Sequence, residues 1–173
     1  MFPLVLVALV VVAMALTAPE RGATLTEYAA AWRHFAPWEM TVTNTGLANE
    51  PTAAAAARID YGVQAVLDPL RDAIGVPVMT SSVYRSPAVN DSVGGHSDSE
   101  HINGNAADIL AAGYSPSSLA NAVMHHVGAK VGKVITYDDK GHVHVSWAAS
   151  GPPERLHATA PGADGKRIYH RIQ

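Results

Sequence analysis

The chain has 173 residues, 48% of them apolar, a formal net charge of −3 and no cysteine. This length and apolar content suit one domain with an ample core, and Lys and Arg are scattered, which argues against a nucleic-acid-binding surface. The lack of cysteine excludes disulfides and thiolate metal sites.

Residues 1–18 (MFPLVLVALVVVAMALTA) carry no charge and stand apart from the core as a signal peptide or membrane anchor. Ala13-Met14-Ala15 offers a cleavage-like site, while the missing Lys or Arg ahead of the apolar run argues for an uncleaved anchor. A buried helix or a mistaken start codon is the bland alternative. Either main reading carries the following residues across a membrane, so an exported domain is expected, touching the membrane only through this segment.

Thr24 and Glu27 have capping-box spacing, which predicts a helix over 25–34 that stops before Pro37. After a polar loop ending near Pro51, Thr52 caps a longer helix. Its apolar residues Ile59, Val63, Val66, Leu67, Leu70 and Ile74 recur every three or four positions and define one buried face. Pro69 is expected to kink or interrupt it. Residues 76–82 and 104–111 read as strands, Ser115-Pro116 opens another helix ending near Gly128, and 131–137 and 142–148 read as strands joined by a turn at 138–141. From Ser150 the chain becomes turn-rich, and 151–173 is read as a C-terminal tail, with 19–150 as the domain. The expected architecture is α+β, an antiparallel sheet with helices packed on it.

The residues with chemistry fall in the strands and the loop between them. A hydrolytic zinc site needs three ligands from His, Asp, Glu or Cys and an open fourth position. His101, Asp108 and His144 meet that need. His142 and His144 alternate with Val143 and Val145, so both imidazoles point to one face of a strand. Gly104 stands between His101 and Asp108, where a chain turning into a strand favours a residue without a Cβ. His125-His126 falls at a helix end, where a cation is favourable, and is read as structural.

The segment from Ser99 to Asp108, SEHINGNAAD, resembles the S-x-H-x-x-G-x-A-x-D signature of zinc D-Ala-D-Ala carboxypeptidases, a family in the superfamily of lysostaphin-type peptidases and hedgehog domains. His142-Val143-His144 is similar to its second motif. Upstream, Tyr84-Arg85-Ser86-Pro87 with Asn90 and Val93-Gly94-Gly95 resembles another stretch of the family. Phe35, Glu39 and Met40, with Asn49-Glu50-Pro51, resemble the preamble of compact bacterial and bacteriophage forms. Together the matches run from about residue 25 to 147 in the right order.

The resemblance implies zinc-dependent hydrolysis near D-alanine in peptidoglycan stem peptides; a monomer is expected. In this reading His101, Asp108 and His144 hold zinc, Arg85 pairs with a substrate carboxylate, Ser99 contacts substrate and His142 steadies the oxyanion. A guanidinium fork suits carboxylate recognition on its own chemistry. The chain departs from the family at Gly141, where a carboxylate usually stands as general base. Asp139 is the replacement expected from its proximity in sequence, whereas Glu100 is expected to point away. Gly141 also sustains a second reading, a catalytically weak zinc-binding module for cell-wall recognition or a virion or surface component.

Overall fold

The apolar stripe read in the sequence organises a helical layer. A computed structural model describes residues 22–147 and 152–172. Residues 1–18, expected to be a signal or anchor, lie outside them. Thr52 caps helix α2 (Ala53–Gly62) by accepting from the Ala55 N–H. Helix α3 (Asp68–Ile74) follows after one π-helical stretch, Val63–Leu67. Ile59, Val63, Val66, Leu67 and Leu70 are fully buried, and each such side chain contributes about 1.5–3 kcal/mol.

Pro69 does not break this helix. It has no N–H to donate and sits in the first turn of α3, where the helix resumes after the π stretch. The helix expected over 25–34 is shorter than expected. It comprises α1 (Leu25–Tyr28) and a 3-10 turn, Ala29–Ala31, after which Trp32 is extended. Competing hydrogen bonds account for the early stop. The Trp32 indole donates to Asp60 at 2.8 Å, and the N–H groups of Arg33 and His34 donate to the buried Asp68 carboxylate at 2.9 and 3.2 Å.

The sheet has six strands in the order β1-β2-β4-β3-β5-β6: β1 (Val78–Ser82), β2 (Ala106–Ala111), β3 (Lys133–Tyr137), β4 (His142–Ser146), β5 (Glu154–Ala158) and β6 (Tyr169–Arg171). It is mixed, not wholly antiparallel as expected, because β5 runs parallel to β3. The segment read as a C-terminal tail therefore supplies two strands of the same sheet. Its short strands of mixed polarity, separated by a turn-rich stretch, gave no alternating pattern to read. Helix α4 (Pro87–Ser92) follows β1, and α5 (Pro116–Val127) packs on the sheet.

Alternation decides which face does what. Ala107, Ile109, Val134, Val143 and Val145 point into the helical layer and join the core. Asp108, Ile135, His142 and His144 line a cleft on the other face. Trp147, just past β4, ties the sheet to α2 by donating to the Arg58 carbonyl at 2.9 Å. Its ring occupies the space beside Gly62, where an added Cβ would lie 2.2 Å from Cζ2.

Gly62→Ala should therefore lower stability by about 1–3 kcal/mol in urea unfolding, although alanine is the better helix former by about 1 kcal/mol. Equal or greater stability would refute this packing account.

Candidate metal centre

Cross-strand register brings the candidate ligands together. Asp108 on β2 is the direct partner of His144 on β4, so their side chains are neighbours on one face. His101 arrives from a 3-10 turn, Glu100–Asn103, that ends at Gly104 with φ +72°. A Cβ there would lie 2.5 Å from the Ala55 carbonyl oxygen. Gly104 thus permits both the left-handed turn and the close approach to α2.

Three donor atoms meet at the centre of this arrangement. His101 Nε2 is 3.2 Å from His144 Nδ1 and 3.2 Å from Asp108 Oδ1, and His144 Nδ1 is 3.0 Å from Asp108 Oδ1. Tetrahedral coordination at zinc–ligand distances near 2.0–2.1 Å separates its donors by about 3.4 Å. The triangle is therefore close to the size that zinc requires. All three residues are buried.

The outer partners fix the orientation of each donor. His101 Nδ1 lies 2.7 Å from the Val83 carbonyl. A carbonyl only accepts, so Nδ1 carries the proton and Nε2 presents its lone pair to the centre. Burial depresses the His101 pKa, which favours this neutral form. Asp108 Oδ2 accepts from Arg85 Nη2 at 2.6 Å, leaving Oδ1 for the histidines. Burial pushes the Asp108 carboxyl up, but His101 and His144 outweigh it and hold the group well below the usual carboxylate range.

His144 has a carboxylate on each side. Nδ1 faces Asp108, and Nε2 lies 3.2 Å from Glu100 Oε2. Glu100 is also 3.3 Å from Lys133 Nζ. Burial raises the Glu100 pKa, yet the His144 hydrogen bond and the Lys133 charge bring it to about 2. Burial likewise lowers His144, and its hydrogen bonds to Asp108 and Glu100 carry it above its ordinary value.

The expectation that Glu100 points away is thus corrected. It rested on a strand or loop geometry, in which adjacent side chains diverge. In a 3-10 turn, with three residues per turn, neighbours are about 120° apart, so His101 and Glu100 both reach His144. A different correction applies to Asp139, whose carboxylate accepts from Arg167 Nη1 and Nη2 at 2.8 and 2.7 Å. That contact belongs to the β3–β4 turn and the C-terminal segment, and Asp139, expected as general base, is not among the residues lining the cleft that holds the triangle. Sequence proximity placed Asp139 near the site because the position of the C-terminal segment was unreadable.

The other expected site residues lie along one cleft of about 720 Å³. His142 Nε2 is 3.9 Å from Asp108 Oδ1, and burial lowers its pKa. Arg85 leaves β1 with Nε bonded to Ser82 Oγ at 2.8 Å. Ser99 begins the turn that carries Glu100 and His101. Residues that sequence reasoning did not assign to the site also line it, namely Lys133, Tyr137, Lys166, Arg167 and Tyr169.

Residues 33–146 match the family model described as Peptidase M15. The chain belongs to the peptidase M15 family. No curated protein matches the chain. M15 membership makes this a metallopeptidase of a zinc-dependent family, and the buried His, Asp, His triangle is where the M15 fold of this chain can hold the ion.

Glu100→Ala should weaken zinc binding about 10- to 100-fold, the usual effect of losing the carboxylate partner of a ligating histidine. Competition with a chromogenic chelator measures this directly. Unchanged affinity would show that Glu100 does not orient His144.

Proposed function

We propose that the protein is a zinc-dependent peptidoglycan peptidase, exported and acting as a monomer, that cleaves at D-alanine in stem peptides. The observation that supports this reading most is the compact donor triangle of His101, Asp108 and His144 beside His142 and Arg85 on one cleft wall. Zinc, when bound, supplies Lewis acidity for hydrolysis of a peptide carbonyl. The protein's own groups hold the substrate around that point.

Arg85 sits at the β1 end of the cleft with one Nη and Nε engaged by Asp108 and Ser82. Among the described residues its remaining nitrogen makes no hydrogen bond, so it is free to receive a substrate carboxylate, a pairing that guanidinium geometry favours. His142 is held in its neutral form by burial. A neutral imidazole keeps one N–H, and a donor aimed at the carbonyl oxygen stabilises the negative charge that develops there. Ser99 faces the same cleft and contributes a short polar side chain to substrate contact.

A second reading is supported by one specific feature. Gly141 stands where the general base is usual, Asp139 is engaged by Arg167, and Glu100 is engaged by His144 and Lys133. With no carboxylate assigned as base, the domain instead serves as a catalytically weak zinc-binding module on the cell wall.

Mass spectrometry of a stem pentapeptide incubated with the purified protein separates the two. Zinc-restored loss of terminal D-alanine, abolished by a chelator and by His144→Ala, is expected. Asp139→Ala should keep most of the turnover. If zinc-loaded, folded protein cleaves neither the pentapeptide nor cross-linked dimeric muropeptides, the wall-binding reading replaces the peptidase.

A further inference from the structure

The family match ends at residue 146, but the cleft does not. It crosses the sheet from Arg85, at the exit of β1, past the ligand triangle on β2 and β4, to Tyr137 on β3 and the loop that precedes β6. Gly165, Lys166, Arg167 and Tyr169 form that far wall. From β4 to β5 is two strand spacings, about 10 Å, or about three residues of an extended peptide.

This far wall is built and held. Arg167 donates to both Asp139 oxygens and, at 2.7 Å, to the Thr159 carbonyl. Its guanidinium lies 5.4 Å from the centre of the Tyr137 ring. The Tyr169 hydroxyl lies 3.4 Å from the Tyr137 hydroxyl, and the Tyr137 ring stands 5.1 Å from that of His142. The C-terminal strands are thereby tied to the catalytic face.

The positive charge at this end is only partly answered by carboxylates. Arg85, Lys133 and Arg167 are each committed to a carboxylate, namely Asp108, Glu100 and Asp139. Lys140 and Lys166 line the same cleft, and among the described residues neither forms an ion pair. Lys140 instead lies over Tyr137, its Nζ 5.3 Å from the ring centre. Two ammonium groups outside any ion pair in one concave wall favour a negatively charged occupant.

We propose that this end of the cleft is a subsite for an acidic peptide segment on the acyl side of the scissile bond, with Lys140 and Lys166 receiving a carboxylate about three residues from the cleaved position. The assignment rests on the peptidase reading for its direction, with Arg85 taking the carboxylate at the opposite end. The stem peptide carries such a group in its γ-linked glutamate, whose α-carboxylate is free or amidated.

The test uses the full chain and a stem tetrapeptide, which lacks the terminal D-alanine and fills only the acyl side. Calorimetric titration with the free α-carboxylate and the α-amide forms should show the acid bound about three- to tenfold more tightly, as for one partly exposed charge between two lysines. In Lys140→Ala/Lys166→Ala that ratio should fall to about one, and Lys166→Glu should push it below one. Circular dichroism melting checks that the variants are folded. Equal binding of the two forms by the unaltered protein, or a ratio that persists in the double variant, would overturn the assignment. Binding is read without turnover, so loss of the hydrolytic reading would leave this result standing.

Discussion

Asp108 is the group on which the site depends. It is a buried carboxylate that meets Arg85 through one oxygen and His101 and His144 through the other. Burying a charge in this way is costly unless every lone pair is answered. The sheet answers it from three directions: β1 delivers the guanidinium, the register of β2 with β4 delivers His144, and the turn before β2 delivers His101. Removing one partner would leave charge uncompensated in a place that water reaches poorly, so the site and the local fold are a single electrostatic unit.

Around that unit the motif residues of the preamble and those flanking Arg85 are structural. The buried Asn49 donates to the carbonyls of Thr41 and Tyr84 and accepts from the Ser86 N–H. The Tyr84 N–H reaches the Met40 carbonyl at 2.9 Å. The preamble thereby grips the backbone on both sides of Arg85 and sets where its guanidinium emerges. The Glu39 side chain accepts from the Ala36 N–H, which holds the short turn that buries Met40.

Much of this was legible in the sequence for identifiable reasons. The strand alternation of His142, Val143 and His144 survives because β4 is central and its two faces have opposite tasks. The helix cap at Thr52 and the stripe from Ile59 to Leu70 are local signals that tertiary packing reinforces. Glu100 was misread because the choice between loop and 3-10 turn depends on how the chain docks against Ala55, which no short window contains. Asp139 was misplaced, and the mixed sheet missed, for a related reason. The β5 partner is 21 residues away in the pairing of Lys133 with Glu154, and weakly patterned strands declare themselves only through such distant partners.

The π stretch in the long helix reaches further than its five residues. In an unbroken α-helix, Asp60 and Asp68 would be about 80° apart around the axis. One extra residue taken up in a wider turn brings them to within about 20°. Both carboxylates then address the same strip of chain, Asp60 through the Trp32 indole and Asp68 through the N–H groups of Arg33 and His34. An unbroken α-helix over the same residues would still bury its leucines and valines, but it would turn Asp68 away from that strip. The defect in the helix is what aligns two anchors for the segment that leads, through Met40, to the strand exit where Arg85 stands.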